Sequence, residues 1–275
     1  MAVRPQAVPA FEHSAARHAA RSSQGKRPMP NAKHAALITG SNRNIGRACA
    51  LILAKAGCNI VVNGSKDREA ADSVAKEVEA LGPRAIVAMG EVGRREDCMA
   101  IADTALKTFG NIDILVNNVA IREDGKFLDM AEDAWRYAMA VNFDAAYWLS
   151  RRCLPGMIAH KWGRIVNFSG MNAIHGYNGR AHVSASKHAA WGLTKALAKE
   201  FGPLGITVNI VSPGPIMGEA QDPVVAAHVT PMAARVPVGR LGTPDEVAAV
   251  VGLLASDAGA FINGQMIQVN GGAET

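Results

Sequence analysis

The chain has 275 residues, 49% of them hydrophobic and 19% charged, enough for one large domain with a well-buried sheet and too short for two full ones. Its formal charge of +5 suggests a polyanionic partner until it is located: residues 1–34 carry Arg4, Arg17, Arg21, Lys26, Arg27 and Lys33 against Glu12 alone, so the remainder is neutral. A basic folded surface is not indicated, and nucleic-acid binding is not expected.

Cys49, Cys58, Cys98 and Cys153 form no C-x-x-C pair and have no histidine at zinc-site spacing. We therefore expect inert thiols in a reducing compartment, no metal, and a cytoplasmic location. The longest apolar run, Val247 to Ala255, is far below the ~18 residues of a membrane span, so no membrane partner is expected. Residues 1–33 are rich in Ala, Arg, Ser and Pro without an apolar period. They read as a disordered basic leader, with a transit peptide as the alternative.

From Ala35 apolar runs alternate with amphipathic stretches. Strands are predicted at Ala35 to Thr39, Asn59 to Val62, Ala85 to Met89 and Ile112 to Val116, separated by helices at Ile45 to Ala56, Asp67 to Leu81 and Arg95 to Phe109. A long helix near Val141 to His160 follows, then strand Arg164 to Phe168, helix Ala181 to Phe201, strand Ile206 to Val211, helix Asp245 to Leu254 and strand Met266 to Val269. Short apolar strands alternating with helices predict an α/β fold, a doubly wound parallel sheet of about seven strands with helices on both faces. Residues 34–275 are expected to form this single domain, with a lid at about 214–238. Ligands are expected beyond the carboxyl ends of the strands.

Two stretches at those ends carry polar chemistry. In the first strand-to-helix turn, Thr39-Gly40-Ser41-Asn42-Arg43-Asn44-Ile45-Gly46, one glycine permits a tight turn and the other lets a pyrophosphate approach the helix N-terminus. The second runs from the strand end Val166-Asn167-Phe168-Ser169-Gly170 through Asn172, His175, Tyr177, Asn178, Arg180 and His182 to Lys187. Helical spacing sets Arg180, Val183 and Lys187 on one face. His175 is a base for near-neutral pH, and Arg180 suits a carboxylate or oxyanion. Tyr177 reaches a pocket only if its loop folds inward; the plain alternative for each is a solvated loop residue.

The order and spacing of Thr39-Gly40…Ile45-Gly46, Asn117-Asn118, Asn142, Ser184-Ala185-Ser186-Lys187, Asn209 to Gly214 and Arg240 to Ala248 resemble the short-chain dehydrogenase/reductase family, especially its 3-oxoacyl-carrier-protein-reductase-like members. The resemblance covers Ala35 to Ala273. It implies a Rossmann-type nicotinamide-binding fold, a small-molecule substrate and a homotetramer. It places cofactor contacts at Gly40, Asn42, Arg43, Ile45 and Gly46, at Asn63 and Asn117, and at Lys187, Pro213, Gly214 and Ile216. NADP is favoured over NAD, because Asn63-Gly64-Ser65-Lys66 ends the second strand without an acid and Arg43 lies in the first turn.

In that family a Ser, a Tyr, a Lys and an Asn act on a carbonyl or alcohol. Carried over by position, the Lys is Lys187 and the Asn is Asn142, while the Tyr and Ser positions hold Val183 and Gly170. Valine has no exchangeable proton and glycine has no side chain, so acid–base help worth ~10²–10⁴ in rate is missing. Ser169 is a poor substitute, since neighbours near a strand end face opposite ways. The cofactor turn is eroded as well: Asn44 replaces its middle glycine, Val119-Ala120 replaces Ala-Gly, Glu91 replaces an Asp, and Gly218 replaces a Thr.

Three readings follow: an oxidoreductase acting on a small polar carbonyl or hydroxy compound, with His175, Tyr177 or water as proton donor; a cofactor-independent lyase, hydrolase or dehydratase using Lys187, Arg180 and His175; or a catalytically dead binding or subunit protein. In the lid, Gln221, His228 and Arg235 point to a polar substrate.

Overall fold

The computed structural model describes residues 34–171, 175–218 and 230–274. The expected leader, Asn172, and the lid residues Gln221 and His228 lie outside these. The first half comprises β1 (Ala35–Ile38), α1 (Asn44–Lys55), β2 (Asn59–Val62), α2 (Arg68–Ala80), β3 (Ala85–Val87), α3 (Arg95–Phe109) and β4 (Ile114–Asn117). The second comprises α4 (Glu132–Met139), α5 (Ala145–His160), β5 (Gly163–Phe168), α6 (Ala181–Phe201), β6 (Ile206–Pro213), α7 (Pro244–Leu254) and β7 (Met266–Val269).

All seven strands are parallel in the order β3-β2-β1-β4-β5-β6-β7. This is the Rossmann-type α/β sheet read from the sequence. The winding reverses between β1 and β4, which opens a crevice at their carboxyl ends.

Alternation along each strand builds two cores. Ile38, Ile60, Val62 and Val166 face α1, α2 and α7 through Leu53, Val74 and Val251. Leu37, Val61, Leu115 and Ile165 face α3, α5 and α6 through Ile101, Leu149 and Ala198. Each fully buried Leu, Ile or Val side chain contributes roughly 1.5–3 kcal/mol, and the central strands β1, β4, β5 and β6 are buried along their whole length, as expected of a parallel sheet covered on both faces.

The helix expected from Val141 begins earlier, as α4, and passes into α5 through a π-helical turn at Ala140–Asp144. One extra residue per turn is common at functional sites, and here it carries Asn142. No helix among the described residues is long and apolar enough to cross a membrane. All four cysteines are buried, and burial pushes each thiol up to about 12, so none presents a reactive thiolate.

Candidate functional site

The turn after β1 is held by side chains from three strand ends. Asn63 Oδ1 accepts from Gly40 N at 3.0 Å, while its Nδ2 donates to the carbonyls of Ala88 at 3.0 Å and Gly90 at 3.3 Å. Thr39 Oγ1 accepts from the amides of Asn118 at 2.9 Å and Val119 at 3.2 Å, and Asn118 Nδ2 donates back to Thr39 O at 3.0 Å. Gly40 takes φ +61°, and a Cβ on Gly46 would lie 2.2 Å from Gly40 O and 2.8 Å from Asn118 Nδ2. Only glycine lets α1 start this close to the turn. Asn44 sits at φ 49°, a left-handed conformation that asparagine adopts more readily than most residues.

These elements enclose a groove of about 640 Å³ across the carboxyl edge of the sheet. Gly40, Asn42, Arg43, Ile45 and Gly46 line it at β1, Asn63, Ser65 and Lys66 at β2, and Asn118 to Arg122 at β4. Tyr137 donates from its hydroxyl to Glu91 at the rim, and that carboxylate pushes the phenol up to about 12. Pro213, Gly214 and Ile216 do not line this groove. Gly214 packs on Asn270, where a Cβ would approach within 2.6 Å, and Ile216 lines a separate cavity of about 140 Å³ with Val236 and Val269. Asn117 lies beneath the groove: its Nδ2 donates to Asn167 Oδ1 at 2.8 Å, tying β4 to β5.

Beyond β4 lies the second predicted cluster. Lys187 is buried on α6, and its Nζ donates to Phe168 O at the end of β5, 2.8 Å away. Burial, and then the positive charge of Arg122, pull its pKa down to about 7. Asn142 Nδ2 donates to Ser186 Oγ at 3.1 Å and to Ile121 O at 3.1 Å, and its Oδ1 accepts from Ile121 N at 2.9 Å. The π turn thus clasps the β4 loop against α6, one residue from Lys187. Val183 is buried, a Cβ built at Gly170 meets nothing within 4 Å, and the buried Ser169 hydroxyl has no hydrogen-bond partner among the described residues.

The polar loop does not converge on Lys187 as a set. His175 is exposed and pairs with Glu274 near the C-terminus at 3.3 Å. Tyr177 is 52% exposed and lies under the Arg180 guanidinium, 4.8 Å from its ring centroid. Neither lines the groove. Arg180 is the residue before α6, not a member of its face, and is held by Asp124 at 2.6 Å; that carboxylate pushes its pKa up. His175 and Arg180 are thus held by carboxylates and Tyr177 by the Arg180 guanidinium. His182, expected on a solvated side, is buried with Nδ1 unpartnered among the described residues. The residue that sequence reasoning missed is Arg122, which lines the groove at its β4 end. Its only signal was a cation five residues after the strand-end Asn117.

Residues 40–274 match the model of the enoyl-(acyl carrier protein) reductase family. The chain is 35% identical over 237 residues to a 3-oxoacyl-[acyl-carrier-protein] reductase of Staphylococcus aureus, covering 86% of this chain and 96% of that one. It is 37% identical over 238 residues to the protein of that name from Synechocystis, covering 86% and 95%. It is 36% identical over 240 residues to nodulation protein G of Azospirillum brasilense, covering 86% and 96%.

Proposed function

Because the chain belongs to the short-chain dehydrogenase/reductase family, we propose that it is a nicotinamide-dependent oxidoreductase for a small polar carbonyl or hydroxy compound, working without the family's Ser and Tyr. The observation that carries this reading is the groove of about 640 Å³ on a glycine turn, whose close approach at Gly46 leaves no room for a Cβ. The residues present fit a dinucleotide. Gly40, Asn42, Arg43, Ile45 and Gly46 would hold its pyrophosphate at the start of α1, and Arg43, Ser65 and Lys66 would take a 2′-phosphate, which favours NADP over NAD. When bound, the group supplies or accepts hydride.

The protein's own part is proton handling and orientation. Val183 and Gly170 stand at the Tyr and Ser positions, so neither can hold the reacting oxygen. Lys187, drawn to about 7, is the ionisable group at this end that holds or releases a proton near neutral pH. Asn142 fixes Ile121 and Ser186 around it. We extend the reading to a cytoplasmic homotetramer, which light scattering of the purified protein and fractionation of cells would check.

A second reading, chemistry without hydride by a lyase, hydrolase or dehydratase, is favoured by one contact. The Asn44 side chain reaches toward Gly218, whose Cβ would lie 3.3 Å from Asn44 Oδ1, narrowing the approach to the turn. Calorimetric titration with NADPH, NADP, NADH and NAD separates the two. Micromolar binding with NADPH and NADP preferred is expected; silence at millimolar concentration of all four rejects the oxidoreductase reading and leaves cofactor-free chemistry or a non-catalytic subunit.

A further inference from the structure

The groove ends at β4 in the guanidinium of Arg122. Arg47, Arg68, Arg136, Arg152, Arg180 and Arg240 each meet a carboxylate, on Glu77, Asp72, Glu132, Asp103, Asp124 and Glu246 respectively. Arg122 has no hydrogen bond or ion pair among the described residues, although it keeps exposed surface in the groove. Its backbone position is fixed, because Asn142 grips both the N–H and the C=O of the preceding Ile121.

Two further cations lie near. Arg122 lies close enough to Lys187 and to Arg180 for each charge to be felt, and crowding by protein followed by the Arg180 charge lowers its own pKa. The nearby acids are otherwise engaged: Asp124 holds Arg180 and Glu91 accepts from Tyr137. Glu123 is exposed and adjacent in sequence. The guanidinium is open to the groove, and a planar anion that accepts two of its parallel N–H groups would make a bidentate, charge-assisted pair with it.

We propose that Arg122 anchors an anion subsite at the β4 end of the groove, taking the carboxylate of a small oxo or hydroxy acid. This rests on the reading above only in assigning that end to substrate. Phosphate groups of a dinucleotide have their own donors across the groove, in the turn at Gly40 to Gly46 and at Ser65 and Lys66. A carboxylate matches the guanidinium fork directly, whereas a lysine here would offer only a point charge. The subsite thus selects free acids, in which the charge is part of the substrate, over neutral ketones of the same size.

The test is calorimetry on the full chain with acetoacetate as probe, neutral 2,4-pentanedione as control and inorganic phosphate as competitor, with and without saturating NADPH. Acetoacetate should bind and the diketone should not. Arg122→Gln should weaken acetoacetate by about tenfold or more, the worth of a charged hydrogen bond, with Arg122→Lys between the two. NADPH affinity and thermal unfolding serve as controls for an intact groove. Equal binding of the diketone, an effect below about twofold in Arg122→Gln, displacement by phosphate at equal affinity, or no acetoacetate heat would each overturn the assignment. Titration without NADPH keeps this outcome separate: acetoacetate binding in a protein that ignores NADPH supports the subsite while rejecting the oxidoreductase reading, and the reverse pattern does the opposite.

Discussion

The turn after β1 and the end of β5 sit on the same sheet edge, yet their polar groups are treated oppositely. At the turn, Asn63, Thr39 and Asn118 satisfy one another's backbone groups, and Asn44 fits a left-handed position. Around the end of β5, the buried hydroxyls of Ser169 and of Ser212 on the neighbouring β6, and the Nδ1 of His182 on α6, have no partner among the described residues. A binding shape is kept by packing and backbone hydrogen bonds, which folding itself requires. Reactive groups have no such support, because packing does not need them.

The largest expected effect tests the proposal that Gly170 and Val183 stand at the family's Ser and Tyr positions. Gly170→Ser has room, since a Cβ there meets nothing within 4 Å. Val183→Tyr would bring a phenol one helical turn from Lys187. Together they should raise NADPH-dependent reduction of acetoacetate by ~10²–10⁴, followed as NADPH absorbance loss. A double variant that binds NADPH and stays inactive would show that the β5 end differs by more than two missing side chains.

Lys187 sharpens the contrast through stability. Its folded pKa of about 7 lies below the ordinary 10.5, so burial penalises the charged form. Below pH 7 both states are protonated and the penalty is complete. Between about 7 and 10.5 the unfolded chain binds more protons, so stability rises with pH until the penalty is gone. The full shift amounts to roughly 4–5 kcal/mol, offset in a variant by the lost bond to Phe168 O. Lys187→Met should therefore be about 2–3 kcal/mol more stable than the parent at pH 6.5, with the difference shrinking toward pH 10 in urea titrations. A pH-independent difference would reject a lowered pKa.

What could be read from sequence follows the same division. The central strands were legible because they are buried on both faces, leaving apolar runs such as Ala35–Ile38 and Ile114–Val116; the edge strands β3 and β7 are only partly buried. The glycine turn was legible because close approach and positive φ demand specific residue types. The π turn at Ala140–Asp144 left no such mark, and the loop residues lie where long-range pairing puts them. The position of His175 depends on Glu274, 99 residues away in the chain, and that of Arg180 on Asp124. Arg122 was invisible because the proposal for it rests on its having no partner among the described residues, and a sequence does not show which charges pair.

A smaller effect is expected at the satisfied turn. Asn63→Ala removes the acceptor of Gly40 N and the donor to Ala88 O and Gly90 O. Buried groups left unpaired cost about 1–3 kcal/mol each, less where water enters from the groove. A net loss of about 2–3 kcal/mol, or roughly 4–10 °C in Tm, should appear in thermal unfolding, with weaker NADPH binding. Loss of binding without loss of stability would mean that Asn63 serves the ligand and not the turn.

The smallest effect, and of opposite sign, belongs to Ser169. Its amide donates to Val211 O at 2.8 Å, so the parallel ladder continues one residue past Phe168. Two residues earlier, Asn167 reaches Thr194 on α6 at 2.9 Å, so alternation turns Ser169 toward α6 and away from Phe168's side. A buried hydroxyl without a partner destabilises the folded state, and replacing it with a methyl removes that cost. Ser169→Ala should raise stability by up to about 1 kcal/mol and leave turnover unchanged in both the parent and the Gly170→Ser/Val183→Tyr background. If turnover instead falls in the parent alone, Ser169 is standing in for the missing hydroxyl, and the β5 end has replaced its chemistry and not lost it.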